Sequence, residues 1–383
     1  MFRAMFFGST PIYEDDWNRY LWDGAVITEG INPYIYSPTA IVHSGVIGNE
    51  ELQQLNALSS ENGDFAKRIN NPLLTTIYPP VAQAAFTLAA WINPFNLDAL
   101  RWIYFLSEIL AMFLMVKALS LFDRSALWVW IYALNPMIIF GAFNGAHMDV
   151  LLVPFILGAL ILIKARPVLS AICLAGAAAI KLWPLILGPI LFRGYRHKPW
   201  LYIGYGLLLG AVAFALCWPM VAHLGDSQSG LNAYSSTWQR SSFIFPYLNA
   251  WSAAISPYGD LVSRLFVAAA VALAAFWFGI ISKADNLKIP LGLLVVTLTL
   301  YLLSPTGYPW YVIWFAYLLP FVPSYGAALL CASTSLYYAR FWFGEGGQYD
   351  IYLDTLIPLQ FGIPILILLI EMVRGYRNGQ RMS

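Results

Sequence analysis

Charge is scarce in this chain. Only 11% of its 383 residues are Asp, Glu, Lys or Arg, against 60% hydrophobic, and soluble domains carry about 25%. An ordinary soluble globular domain is thereby excluded. The net charge of +1 offers no basic field to collect nucleic acid and no acidic field for cationic partners. Cysteine is rare as well. Cys173, Cys217 and Cys331 lie inside apolar runs, at spacings that suit neither a disulfide framework nor zinc, and read as packing residues. No fixed-period repeat is visible, so sequence symmetry lends nothing to an inverted-repeat transporter. No cleavable signal peptide is visible, and residues 1–8 (MFRAMFFG) are too short to cross a bilayer, which takes about 20 apolar residues.

What the chain has in quantity is apolar and aromatic surface: 15 Trp, 23 Tyr and 24 Phe, with a mean hydropathy of +0.65. These describe an all-α, polytopic transmembrane protein. Residues 9–72 are polar and irregular, with a helical-looking acidic stretch at Glu50–Asn62. Pro79-Pro80 open a short apolar helix ending before Asn93-Pro94, read as lying in or dipping into the outer interface. Apolar segments follow near 97–120, 125–143, 147–164, 199–222, 259–282, 289–304, 310–323, 325–341 and 351–373. The stretch 167–192 is interrupted by Lys181-Leu182-Trp183-Pro184, and a proline breaks a membrane helix. Reading it as two short crossings, 167–180 and 182–192, puts the loops 117–124, 164–166, 193–198, 283–288 and 374–381 on one side. Those loops hold twelve of the 21 Lys and Arg, which makes that side cytoplasmic. The expectation is one integral-membrane domain, 1–383. It has a large first external loop (1–96), about eleven crossings over 97–373 and a cytoplasmic tail (374–383).

Against this background the stretch Tyr13-Glu14-Asp15-Asp16-Trp17-Asn18-Arg19-Tyr20-Leu21-Trp22-Asp23-Gly24 stands out, with four carboxylates and four large rings. A solvated acidic loop is the plain alternative, but such a loop has no need of Tyr13, Trp17, Tyr20 and Trp22. Ionisable groups in a lipid-embedded chain usually face a polar cavity. Adjacent Asp15 and Asp16 repel, which lifts one pKa toward the range of a general base. The same external side carries Asn144 to Asp149, where His147 and Asp149 either line a cavity or Asp149 caps the next helix. It also carries Lys181, as a phosphate or acid partner or a snorkelling charge, and the loop 223–258 with Trp238-Gln239-Arg240. A guanidinium such as Arg240 matches phosphate bidentately, although a plain surface charge is equally open. Tyr308, Trp310 and Tyr311 in SPTGYPWY read as an interfacial belt or as a wall for a sugar ring or lipid.

The motifs YEDDWNRYLWDG, GINPY, YPP, GAHMD, AAIKLWP and PWYVIW, in that order and spread over nearly the whole chain, resemble the GT-C superfamily of integral-membrane glycosyltransferases. The nearest likeness is to the bacterial polyprenyl-phosphate-mannose-dependent type, glycosyltransferase family 87 and its relatives. The resemblance implies the GT-C fold and a polyprenyl-phosphate sugar donor, with mannose as the sugar. It implies a lipid- or glycan-linked acceptor hydroxyl, membrane lipids as surroundings, inversion at the sugar and no required cofactor. Carried over, the catalytic carboxylate falls on Asp16 or Asp15, with Asp16 preferred because it stands three residues before Arg19-Tyr20. Lys181 and Arg240 would face the lipid phosphate. Arg19, Tyr20, Asp23, His147, Asp149, Trp238, Tyr308, Trp310 and Tyr311 would line the substrate path. No metal ligand set is expected. The implied place is the cytoplasmic (inner) membrane, with the site on the extracytoplasmic side. Two departures stand out. Members begin with a transmembrane helix before the acidic loop, which implies a span upstream of residue 1 here. Many also carry His before Pro-Trp-Tyr, where this chain has Tyr308. A lipid-linked-glycan flippase or transporter, and a non-catalytic subunit of an envelope assembly complex, are the competing readings.

Overall fold

A computed structural model describes residues 2–42, 49–282 and 288–380, without the side chains of 288 and 375–380. The basic loop at 283–288 and the end of the tail therefore fall largely outside the described residues. Among those described the chain is helical throughout, its one β feature being an isolated bridge between Arg240 and Thr306. It is an all-α polytopic membrane protein. Among the described residues, four helices are long and apolar enough to cross a bilayer: Leu97–Ser120, Pro199–Val221, Gly259–Ile281 and Tyr349–Arg374. Their outer faces carry rings and leucines bare of protein, such as Trp200, Leu207 and Trp218 on Pro199–Val221, as a lipid-facing helix requires. A fifth candidate is the pair Ala126–Ala133 and Pro136–Asn144, bent by 56° where Pro136 cannot continue the helix.

The remaining expected crossings are short. Met148–Leu162, Pro167–Ala178 and Ile289–Leu303 are apolar helices of 10–17 residues, below the length of a straight span. The chain breaks at Lys181 as its proline demands. The stretch after it forms only the pieces Trp183–Leu187 and Gly188–Leu191, because Pro184 and Pro189 fall within them.

Two compact units emerge, residues 1–114, 140–185 and 203–238 in one, and 115–139, 186–202 and 239–383 in the other. In the first, the acidic stretch is no loop. It is a helix, Asp16–Thr28, buried from Asn18 to Val26. The helix ends where Gly30 turns left-handed (φ 78°) and Ile31 donates back to the Val26 carbonyl at 3.2 Å. It crosses the helix Pro80–Ile92 at Gly24, where an added Cβ would lie 2.3 Å from the Phe86 carbonyl oxygen. No other residue fits there. Tyr20 stacks on Phe86 with ring centroids 4.6 Å apart and meets Tyr78 edge-on at 4.8 Å. The far face of Pro80–Ile92 exposes Leu88, Trp91 and Ile92. Val81 N–H donates to the Ala179 carbonyl at 2.8 Å, pinning the start of this helix to the break before Lys181. Buried Tyr34, Ala179, Cys217 and Met220 pack together behind it.

In the second unit, small residues set the helix crossings. A Cβ on Gly326 would meet the Leu368 backbone nitrogen at 2.8 Å, and one on Gly279 the Pro189 carbonyl oxygen at 2.8 Å. Such close backbone approach is how membrane helices gain packing without a hydrophobic drive. Glu371 caps the helix Tyr325–Ser333, accepting from Ser324 Oγ at 2.6 Å and from Tyr325 N–H at 2.7 Å.

Candidate active site

Asp16 opens its helix, with exposed Asp15 as the residue before it. One amide group serves both: Asn70 Nδ2 donates to Asp15 Oδ1 and to Asp16 Oδ1, each at 2.8 Å. The other oxygen of Asp16 lies 3.8 Å from His147 Nδ1, and 26% of the Asp16 side chain stays open to solvent. Burial raises its carboxyl above the ordinary range. The Asn70 hydrogen bond opposes this, the Asp15 charge adds to it, and the more distant Lys181 opposes it. The result is a carboxylate that is sheltered, reachable and unusually basic.

The turn bearing His147 is shaped by strain. Ala146 sits at φ 54°, a left-handed conformation that costs a non-glycine residue about 1–2 kcal/mol. Gly145 lies so close to the imidazole that a Cβ there would stand 2.9 Å from the ring. His147 N–H donates to the Gly141 carbonyl at 2.9 Å, and the ring is fully buried. Asp149, two residues on, does not cap the helix after it. Its buried carboxylate accepts from Lys181 Nζ at 2.7 Å. Tyr104, from the helix Leu97–Ser120, brings its buried hydroxyl within electrostatic reach of Asp149.

Arg19, Tyr20 and Asp23 face inward and tie the acidic helix to its neighbours. Arg19 Nη2 donates to the Leu74 carbonyl at 3.0 Å and the Asn70 carbonyl at 3.4 Å. Asp23, 1% exposed, accepts from Gln83 Nε2 at 2.9 Å. Burial pushes its carboxyl up to about 6, with Arg19, Thr76 and Gln83 pulling the other way. Asn70, Gln83 and Tyr104 carry no sequence signal beyond a turn, a helix amide and a span tyrosine. Only the fold identifies them.

The other expected site residues lie within their own units. Trp238 ends the first unit, its ring 6.2 Å from Tyr234. Arg240, Tyr308, Trp310 and Tyr311 belong to the second unit. There the exposed Arg240 is fixed by its backbone, which donates to the Pro305 carbonyl and accepts from Gly307 N–H, both at 2.9 Å. Tyr308 stacks on Trp310 at 4.5 Å and Tyr311 on Trp314 at 4.1 Å. Both Tyr308 and Trp310 meet Tyr337 edge-on, and the Arg340 guanidinium covers that ring at 4.9 Å. Among the described residues, no three His, Cys, Asp or Glu side chains gather in a group that could hold a metal ion.

No curated protein and no solved structure matches this chain. The family model of glycosyltransferase family 87 does match, over residues 76–305. That stretch takes in Gln83, His147, Asp149, Lys181 and Arg240. Asp16 and Asn70 lie upstream of it and the PWYVIW motif downstream. With more than half of its length matched, this membrane protein belongs to glycosyltransferase family 87.

Proposed function

We propose that this glycosyltransferase moves a sugar, mannose in our reading, from a polyprenyl-phosphate donor to a hydroxyl of a lipid- or glycan-linked acceptor. The observation that carries the reading is the Asp16 carboxylate, anchored by Asn70, raised in basicity by burial and still open to solvent. Asp15 is exposed beside it and supplies charge rather than the base. In the proposed reaction Asp16 takes the proton of the acceptor hydroxyl as the oxygen attacks the anomeric carbon. The bond from that carbon to the phosphate oxygen breaks, and the electron pair leaves with the polyprenyl phosphate. Attack opposite the leaving group inverts the sugar. The departing phosphate calls for cations, with Lys181 and Arg240 in that role. His147 and Asp149 form the polar wall beside the base, and the aromatic cluster of Tyr308, Trp310 and Tyr311 receives a sugar ring or lipid. The donor is a substrate, and the proposed reaction uses no resident cofactor. The concentration of Lys and Arg on the opposite loops supports an outward-facing site in a bacterial cytoplasmic membrane.

Asp16→Asn tests the reading in nanodiscs supplied with polyprenyl-phosphate mannose and extracted envelope lipids as acceptor. Loss of a general base costs about 10²–10⁴ in rate, so transfer should fall by that factor while donor binding stays intact. Transfer at the native rate by Asp16→Asn would refute the assignment, and Asp15→Asn should lose far less of its transfer than Asp16→Asn.

A further inference from the structure

Two adjacent carboxylates at a helix start repel each other, and something must hold them in one arrangement. The side chain doing so comes from 54 residues further along the chain. Asn70 turns its amide nitrogen toward the acids, 2.8 Å from an oxygen of each. Its orientation is set from behind. Asn70 Oδ1 accepts from Asn71 Nδ2 at 3.3 Å, which fixes which end of the amide faces the acids, and its backbone carbonyl accepts from the buried Arg19. Asn71 adopts φ 50°, a left-handed conformation that asparagine tolerates better than most residues. The turn Asn70-Asn71-Pro72 is thus a clip: a guanidinium holds its backbone and its amide bridges two acids.

We infer that Asn70 is the positioning residue of the site, fixing Asp15 and Asp16 in one orientation and sustaining two neighbouring negative charges at the base. This rests on the reading of Asp16 as the base. Asn70 touches no reacting atom in that scheme and acts through Asp16. The other groups facing Asp16 are Asp15 and Arg19 on its own helix, Tyr20 and Tyr78 beneath it, and His147, Asp149 and Lys181 across from it. Lys181 is already paired with Asp149, 2.7 Å away, and His147 stands at 3.8 Å from Asp16. The side-chain donor that bridges the acid pair is a neutral amide. A neutral amide can favour the carboxylate form across the whole working pH range, because it does not itself titrate.

The test uses Asn70→Ala and the near-isosteric Asn70→Leu in full-length protein in nanodiscs. Dicyclohexylcarbodiimide modifies protonated carboxyls, so its labelling of Asp16 against pH, read by peptide mass spectrometry, reports ionisation without any acceptor. Both variants should carry Asp16 labelling to higher pH than the native chain. Their kcat at neutral pH should fall roughly tenfold, the weight of one hydrogen bond to a charged group, with the donor KM unchanged. An unaltered labelling profile in either folded variant would overturn the inference, since a purely structural loss would not move it selectively. The two claims fail separately. Native transfer by Asp16→Asn would sink the base assignment and leave the labelling result standing, whereas a static profile in the Asn70 variants would sink the clip alone.

Discussion

Lys181 and Asp149 form an ion pair: Nζ and Oδ1 are 2.7 Å apart, with the carboxylate side chain 2% exposed and the ammonium side chain 20% exposed. Lys181 therefore has a structural partner as well as its proposed phosphate. Lys181→Met strands a buried charge, which costs about 3–5 kcal/mol, so a fall in activity alone would say little. The informative variant is Lys181→Met with Asp149→Asn. Most of the lost thermal stability in detergent should return, while donor affinity stays about tenfold to a hundredfold low. Recovery of donor affinity along with stability would make Lys181 a scaffold residue only.

Arg240 offers a cleaner measurement. Its backbone makes the contacts to Pro305 and Gly307, and its side chain is exposed. Arg240→Gln should leave the unfolding temperature within a degree or two of native, as surface substitutions do. A charge-assisted phosphate contact contributes about 1.5–3 kcal/mol, so donor binding should weaken by one to two orders of magnitude. Unchanged donor binding would return Arg240 to a surface charge.

Stability should vary with pH through Asp23. Its folded carboxyl is pushed up to about 6 from 3.8, chiefly by burial. The folded state therefore binds the proton more tightly than the unfolded chain. The stabilisation is fully present below the unfolded value and is lost as pH rises through the folded one. The span of that loss is about 3 kcal/mol. Asp23→Asn keeps an acceptor for Gln83 and should flatten the unfolding profile between pH 4 and pH 7. A variant whose stability still declines over that window would exclude Asp23 as the cause.

The orientation of the chain is open to labelling with an impermeant thiol reagent in a cysteine-free background. Asn144 and Gly230 make poor reporters because both are buried. Exposed Gly225 and Gly346 should react from outside when changed to Cys, and exposed Ser125 and His197 should not. Outside reaction at His197 would overturn the arrangement of loops around the break at Lys181, and with it the outward-facing placing of the site.

Much of the site was legible because charge is costly in such a chain. Asp16, His147, Asp149 and Lys181 stand out in an apolar sequence, and the break at Lys181 follows from proline chemistry, whereas the bend at Pro136 was passed over inside the apolar run 125–143. The helix Asp16–Thr28 was not legible. Its inward face carries Arg19, Tyr20 and Asp23, so no apolar stripe marks it, and polar residues on both faces read as a loop. Asn70 was invisible for a different reason. An asparagine pair before proline looks like any turn, and its partners lie more than fifty residues away. The stretch after Lys181 comes out as short pieces because Pro184 and Pro189 fall within it, and hydropathy registers apolar residues without registering that break.

The close crossing at Gly24 bears on how loss-of-function variants of this protein are interpreted. A methyl group there would run into the Phe86 backbone, which has no flexible end to swing aside, so the acidic helix must tilt or slide. A genetic screen would then score Gly24 as strictly as Asp16, although Gly24 owns no functional group and stands eight positions away. Intolerance to substitution on this helix is therefore a record of two different demands, one made by the reaction and one by the seat on which the reacting carboxylate rests. Only assays that separate how much protein is folded from how fast the folded protein turns over can tell them apart.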